Sequence, residues 1–283
     1  MNAIDIVVGL QTPETTALRP DWAAKFFAGK FGAEGEAVEG TSLEGYINIM
    51  DRAGIERSLL FSPKAGPKQE ATSYRPDPTI VADAVAAHPD RFSGLIGVDP
   101  TDPVAAVREI EWAVRELGFI GVHAYPHWFG LAPDHALWYP IYAKCVELNV
   151  PIQIQVGHCL LYTQEKPLRS VGRPITLDTV ACDFPDLKLI GIHTGWPWTQ
   201  EMISVAWKHP NVYIGTDAFA PRYWDKELVH FINSWGRDKV MFGTDFPVIH
   251  PETAMEQIAE LGFREKSLEN FLSGNAARVY GLD

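Results

Sequence analysis

Short apolar runs alternate with helical segments roughly eight times along the chain. The runs are β-branched or almost continuously apolar, which is typical of parallel strands buried on both faces. They cover residues 4–8, 57–61, 92–98, 119–124, 152–156, 187–193, 212–215 and 240–243. Between them, residues 79–88, 103–117 and 136–148 carry the spacing of amphipathic helices. In the 103–117 segment the apolar positions are Val104, Val107, Ile110, Val114 and Leu117.

This alternation predicts a parallel sheet with right-handed crossovers. Because eight strand–helix units fit into 283 residues, we expect the sheet to close into a (β/α)8 TIM barrel that forms one domain over residues 1–283. No GxGxxG sequence follows the first run, which argues against a dinucleotide-binding fold.

Two connections are too long to be simple turns, residues 10–41 after the first strand and residues 62–78 after the second. Both follow the carboxyl end of a strand, the face on which barrels build their active sites. Long connections in compact domains are commonly lids or binding loops, so we expect them to contribute to a site. A contact between two subunits is the alternative.

Composition restricts the partners and the compartment. The net charge of −12 disfavours nucleic acid, whose binding needs clustered Lys and Arg. The three cysteines (Cys145, Cys159 and Cys182) have no CxxC spacing, which fits a reducing cytoplasm. No signal peptide and no apolar run of about 20 residues is visible, so we expect a cytoplasmic protein without a membrane span. The aromatic content permits a homodimer.

Polar side chains stand at the ends of several predicted strands. Because the carboxyl ends of barrel strands share one face, we expect these side chains to converge on a small-molecule substrate. The fourth to eighth strands present, in chain order, His123 with Tyr125 and His127, Gln155 with His158, His193, Asp217, and Asp245. Trp196 and Arg222 lie on loops of the same face and are candidate specificity contacts, Arg222 for a substrate carboxylate.

The residue types suggest both chemistry and its structural alternatives. A carboxylate beside an imidazole raises the imidazole pKa and fixes its tautomer, so His193 with Asp245 would form an acid–base pair. His158, Asp217 and Gln155 would position the substrate. Alternatively, a lone histidine is a hydrogen-bonded structural group, and Asp217 or Asp245 caps a turn.

Three segments carry a family resemblance: LKLIGIHTGWPW, KVMFGTDFPV and FLSGNAARVYGL, the last with Asn275 at the start of a closing helix. With these three segments in this order, the chain resembles the amidohydrolase-related family. That family includes aminocarboxymuconate semialdehyde decarboxylase and related decarboxylases, hydratases and lactone hydrolases. The resemblance implies a barrel with a metal centre. Its usual ligands are a His-x-His pair on the first strand, a histidine on the fifth and an aspartate on the eighth.

Most of those ligands are missing. Val7 and Gly9 stand where the resemblance implies the His-x-His pair, and Gln155 stands where it implies the fifth-strand histidine. Asp245 matches the remaining ligand. Since a tight zinc site needs about three protein ligands, we expect no metal cofactor. A site for zinc or another divalent metal, rebuilt from His123, His158 and His193, is the alternative.

We therefore expect a metal-independent hydrolase of a small acyl, lactone or β-keto compound, with a coenzyme A-linked aromatic compound among the candidates. In it, His193 oriented by Asp245 would activate water or protonate a leaving group. The first alternative is a metal-dependent non-oxidative decarboxylase or hydratase of an aromatic or unsaturated acid. The second is a barrel that has lost catalysis and binds a ligand.

Overall fold

The computed structural model of the chain describes residues 2–31 and 35–282. Its centre is an eight-stranded parallel sheet in which each strand pairs with the next one along the chain. The strands are β1 (Ala3–Gly9), β2 (Ile55–Ser62), β3 (Phe92–Gly97), β4 (Gly121–Ala124), β5 (Ile152–Gln155), β6 (Leu189–Ile192), β7 (Val212–Gly215) and β8 (Val240–Met241).

The chain that follows β8 closes the sheet against β1. The backbone N–H of Gly9 donates to the carbonyl of Phe246 at 3.0 Å, and that of Asp245 donates to the carbonyl of Val7 at 2.9 Å. Lower down, the N–H of Ile6 donates to the carbonyl of Phe242 at 3.1 Å. The predicted (β/α)8 barrel is confirmed.

Helices surround the strands and cover the carboxyl end of the barrel. They are α1 (Pro13–Ala17), α2 (Asp21–Phe31), α3 (Glu36–Glu39), α4 (Leu43–Ala53), α5 (Pro78–Ala87), α6 (Pro103–Glu116), α7 (Pro126–Phe129), α8 (Tyr139–Glu147), α9 (Thr176–Asp183), α10 (Thr199–Lys208), α11 (Lys226–Ile232), α12 (Pro251–Ala259), α13 (Glu265–Glu269) and α14 (Asn275–Tyr280). Short 3₁₀ turns lie at Ala136–Trp138 and Pro221–Tyr223, and a π-helical turn lies at Asn270–Gly274.

Helix α6 shows how local sequence sets an element and where the sequence analysis needs correction. Asp102 caps it by accepting from the N–H of Ala105 at 3.1 Å, and Pro103 occupies its first turn. Its buried face carries Ala106, Ile110 and Ala113. Val104, predicted on that face, is 59% exposed, because it precedes Ala106 by two positions and so lies on the opposite side of the helix.

Two hydrophobic layers hold the barrel together. An inner cluster includes Ile6, Leu59, Leu95, Ile192 and Met241, one or two from each of several strands. A larger outer cluster lies between the strands and the helices. No helix among residues 2–31 and 35–282 is long and apolar enough to cross a membrane.

The long connection after β1 is not an irregular loop. It contains α1 and α2 and ends in α3, and Thr12 begins α1 with a capping box shared with Thr15. The connection after β2 pairs Ala65 with Tyr74 in an isolated antiparallel bridge. Both connections lie at the carboxyl end of the barrel, where the sequence analysis expected binding loops.

Candidate active site

Three side chains meet at the carboxyl end of β6, β7 and β8. The Nε2 atom of His193 lies 3.2 Å from Oδ2 of Asp217 and 3.6 Å from Oδ2 of Asp245. The backbone N–H of His193 also donates to Oδ1 of Asp217 at 2.9 Å. The predicted His193–Asp245 pair is therefore a trio, in which Asp217 is the nearer carboxylate.

The backbone at these strand ends adopts a conformation that few residues other than glycine take. His193 has a φ of 70° and Asp245 a φ of 56°, and Ala218, directly after Asp217, has a φ of 67°. Left-handed backbone at such residues costs free energy and clusters at functional sites. It ends the strands abruptly and turns the three side chains toward one point.

Gln155, at the end of β5, contacts the other nitrogen of the imidazole. Its Nε2 lies 3.0 Å from Nδ1 of His193. The Oε1 atom of the same amide is buried without a hydrogen-bond partner. Gln155 therefore fixes the imidazole plane and leaves one unused oxygen beside the trio.

Asp5 on β1 supports the segment that carries Asp245. Its Oδ1 accepts from the backbone N–H of Thr244 at 3.0 Å, and its Oδ2 accepts from the Thr244 hydroxyl at 2.5 Å. The Thr244 hydroxyl in turn accepts from the N–H of Phe246 at 3.1 Å. Sequence reading missed this contact, because Asp5 lies in an apolar run and its partner is 239 positions away.

The trio contains two carboxyl groups, and its third member, the His193 imidazole, carries no compensating positive charge at neutral pH. Burial raises the pKa of Asp217 to about 7, and burial together with Asp217 and Asp5 raises the pKa of Asp245 well above its usual range. Burial lowers the pKa of His193, so its imidazole is neutral at pH 7. Among the described residues no Lys or Arg pairs with either carboxylate. Such a group is stable when it takes up protons or a cation.

The residues fit a divalent cation. One ligand atom each from His193, Asp217 and Asp245 lie within 4.8 Å of one another. Oδ2 of Asp217 and the amide oxygens of Gln155 and Gln11 are buried without a hydrogen-bond partner. One imidazole among several oxygens suits Mn²⁺ or Mg²⁺ better than an all-histidine or thiolate zinc site.

The missing His-x-His pair is replaced by other side chains. Val7 is buried in the inner hydrophobic cluster. At Gly9, an added Cβ would lie 2.9 Å from Nε2 of Gln11 and 3.2 Å from the carbonyl oxygen of Phe246. Gln11 therefore occupies space next to the position where a first-strand ligand would stand.

A cavity opens above the trio, and His193 and Asp245 form part of its wall. Its volume is about 180 Å³, and an apolar cavity of about 150 Å³ is large enough for benzene. Most of the wall is aromatic or aliphatic, including Trp22, Phe61 and Trp128. The cavity therefore suits one small ring or chain with a polar group directed at the trio.

His158, Tyr125 and Gln155 also line this cavity, as expected of site residues. His158 is exposed, and its Nδ1 lies 2.7 Å from the Ser170 hydroxyl. Ser170 was missed by sequence reading, since nothing in its surrounding loop sequence signals a contact with His158.

Besides Asp217, which contacts His193 in the trio, four of the predicted site residues do not line the cavity. His123 lies in the barrel interior, with Nδ1 2.8 Å from Oε1 of Gln153, and burial lowers its pKa to about 3. Nδ1 of His127 accepts from the N–H of Val171 at 3.0 Å, so the ring holds a loop. Trp196 stands outside, near the ring of Phe219.

Arg222 is the fourth, and it is exposed in a 3₁₀ turn with its guanidinium 4.9 Å from the centre of the Tyr223 ring. In the described part of the chain, His123 and His158 join no group of potential metal ligands with His193. The aspartates of β7 and β8 take that place. The potential metal ligands near His193 are therefore carboxylates rather than additional histidines.

Comparison with known proteins identifies the family. The amidohydrolase family model matches residues 53–282. The chain belongs to the amidohydrolase family. This confirms the resemblance drawn from the three sequence motifs.

The chain is similar to two curated relatives, and its fold is similar to that of one solved structure. A 2-amino-3-carboxymuconate-6-semialdehyde decarboxylase of Dictyostelium discoideum is 27% identical over 72% of this chain and 65% of its own length. The decarboxylase orsB of Emericella nidulans is 32% identical over 81% of this chain and 82% of its own. A dihydroxybenzoic acid decarboxylase of Polaromonas sp., solved with bound manganese and 2-nitroresorcinol, superimposes with a TM-score of 0.74, at 20% identity, over 100% and 98% of the two chains.

These relatives are named as decarboxylases, so they give no support to the expected hydrolase and agree better with its decarboxylase alternative. The expectation that the protein needs no metal also lacks support, because the trio provides a suitable donor set.

Proposed function

We propose that this protein is a divalent-metal-dependent, non-oxidative decarboxylase of a small aromatic or unsaturated carboxylic acid. The observation that carries the proposal is the meeting of a neutral imidazole with one buried and one partly buried carboxyl group at the wall of a largely apolar cavity, with no Lys or Arg of the described residues paired to either carboxyl group. These oxygen and nitrogen atoms would attract a cation, and a bound cation would in turn attract the carboxylate of an acidic substrate.

The relatives support the same chemistry. One is named as a 2-amino-3-carboxymuconate-6-semialdehyde decarboxylase, and another is named as a decarboxylase without a stated substrate. The Polaromonas structure contains manganese, an ion that accepts mixed nitrogen and oxygen ligands.

His193 through Nε2, and Asp217 and Asp245 through one oxygen each, would hold the ion. When bound, it would supply the positive charge that orients the substrate carboxylate and a neighbouring oxygen. Gln155 would keep the His193 ring in place from the side of Nδ1. The aromatic wall would hold the body of the substrate and exclude water from the reacting carbon.

The remaining requirement is a proton for the carbon that loses its carboxylate. His158 is placed to supply it, because it lines the same cavity and its Nδ1 is held by the Ser170 hydroxyl. That contact leaves Nε2, which has no hydrogen-bond partner among the described residues. Histidine is the side chain most often used for proton transfer near neutral pH.

The step balances without an oxidant. His158 in its imidazolium form gives its Nε2 proton to the carbon, where an electron pair of the ring or double bond forms the carbon–hydrogen bond, and the imidazole is left neutral. The bond from this carbon to the carboxylate then breaks, its electron pair returns to the ring or double bond, and carbon dioxide leaves. His158 is exposed, so it regains a proton from solvent.

Carbon dioxide release from hydroxybenzoates such as 2,6-dihydroxybenzoate, with Mn²⁺ added, tests the proposal. We expect release that a chelator abolishes, with one solvent deuterium incorporated per turnover in D₂O. His158→Gln should lower kcat about a hundredfold or more. His230→Gln, which alters an exposed histidine of α11, should leave kcat unchanged.

Hydrolysis of esters or lactones that continues in the presence of a chelator would contradict the proposal and favour the metal-independent hydrolase. Ligand binding without turnover of acids, esters or lactones would contradict both and favour a non-catalytic barrel.

A further inference from the structure

The cavity contains a positive charge that the trio does not use. Arg19 follows α1 in the connection after β1 and is, among the described residues, the one Lys or Arg in the cavity wall. His193 and Asp245 belong to the same wall. A ligand that fills the cavity therefore meets the trio and a guanidinium.

No carboxylate of the described residues forms an ion pair with Arg19. Its guanidinium lies 4.8 Å from the centre of the Phe27 ring and is an electrostatic neighbour of the Tyr74 hydroxyl. That hydroxyl donates its own proton to the carbonyl of Thr15 at 3.0 Å. Arg19 is thus held in place by a neutral partner and an aromatic face, and its charge remains uncompensated.

Besides Asp245, the described cavity wall contains one carboxylate, Asp77, which is engaged elsewhere. Asp77 caps α5, and its Oδ1 accepts from the N–H and the hydroxyl of Thr79 at 2.9 and 2.7 Å. Burial lowers the pKa of Arg19, which agrees with a guanidinium that has lost water without gaining a counter-ion. Arginine nevertheless stays charged at neutral pH.

We propose that Arg19 binds a second anionic group of the substrate, so that the substrate is a small aromatic or unsaturated acid with two acidic groups. This inference rests on the proposed function, in which the first acidic group lies at the trio. The guanidinium presents several N–H donors in one plane, a geometry that matches a carboxylate. Arg19 thereby takes the role that the sequence analysis gave to Arg222.

Calorimetric titration of the protein in Mn²⁺-containing buffer tests the inference with benzoate, benzene-1,3-dicarboxylate and benzene-1,4-dicarboxylate. We expect the wild type to bind at least one dicarboxylate about tenfold or more tighter than benzoate, because a charge-assisted hydrogen bond is added. Arg19→Gln should remove this preference and leave benzoate binding unchanged. Arg222→Gln should change neither affinity.

Equal affinities in the wild type, no binding of either ligand class, or a preference that survives Arg19→Gln would overturn the inference. The comparison of benzoate with the dicarboxylates in the wild type needs no variant. If Arg19→Gln fails to fold, Arg19→Lys provides a second variant, which retains the positive charge. The variant Arg19→Lys should retain part of the preference. Binding is measured without turnover, so an intact preference in a protein that releases no carbon dioxide would remove the proposed function and leave the Arg19 site standing.

Discussion

The orientation of the Gln155 amide determines which nitrogen of His193 carries the proton. When the amide donates to Nδ1, the imidazole proton lies on Nε2, the nitrogen nearest to Asp217 and Asp245. When the amide is reversed, its oxygen accepts from Nδ1–H, and Nε2 offers a lone pair to a cation. A glutamine can serve both states, since one end of its amide donates and the other accepts.

Replacement of Gln155 by Ala should weaken Mn²⁺ binding about tenfold to a hundredfold, because the contact that orients a metal-binding histidine is lost. Titration with Mn²⁺, followed by the electron paramagnetic resonance signal of the free ion, measures the change. Gln200→Ala, at an exposed position near the start of α10, provides the control. Unchanged affinity in Gln155→Ala would show that the amide does not orient His193.

At the residue scale the sequence predicted which polar side chains share one face, but not their contacts or a donor set suited to a metal ion. His193, Asp217 and Asp245 were expected at one face, because each ends an apolar run. Their distances could not be foreseen, since they depend on left-handed backbone that the residue types do not signal. The departures at Val7, Gly9 and Gln155 suggested a protein without a metal, because amide oxygens and a second aspartate are not part of the expected ligand pattern.

At the element scale, Asn275 joins the last helix to the last strand. It begins α14, and its Nδ2 donates to the carbonyls of Arg237 at 2.9 Å and Val240 at 2.8 Å. The side chain is 1% exposed. The sequence motif placed Asn275 at a helix start, but its two acceptors, 38 and 35 positions earlier, could be identified only from the fold.

Asn275→Ala should lower the free energy of unfolding by about 2 kcal/mol, because it leaves two carbonyls, one of them fully buried, without this donor. Urea denaturation at neutral pH measures the effect. Asn48→Ala on the exposed face of α4 should change the value by less than about 0.5 kcal/mol. A loss in Asn275→Ala no larger than in this control would show that the two hydrogen bonds contribute little.

At the scale of the whole molecule, strand alternation was sufficient to predict the barrel, because eight buried runs can close in few ways. The same alternation also placed both long connections at the active-site face. Their internal structure escaped prediction, since α1 and α2 are short and α2 is only weakly amphipathic. Arg19 was missed for the same reason, as its position depends on how this connection folds over the barrel.

The barrel fold also determines which charged groups meet at the carboxyl ends of its strands. It brings two aspartates from neighbouring strands within contact of one imidazole and leaves the compensating charge to a ligand. A second group of potential ligands, Asp178, Cys182 and His209, lies at the surface around α9. In that group Asp178 already pairs with Lys208 at 2.7 Å, so it makes a matched comparison.

Equilibrium binding of Mn²⁺ to the wild type, Asp217→Asn and Asp178→Asn tests the central claim most directly. The wild type and Asp178→Asn should each bind a single ion with the same affinity. Asp217→Asn should bind at least about a hundredfold more weakly, because a buried carboxylate ligand has become neutral. No binding to the wild type, or equal binding to the wild type and Asp217→Asn, would contradict the account.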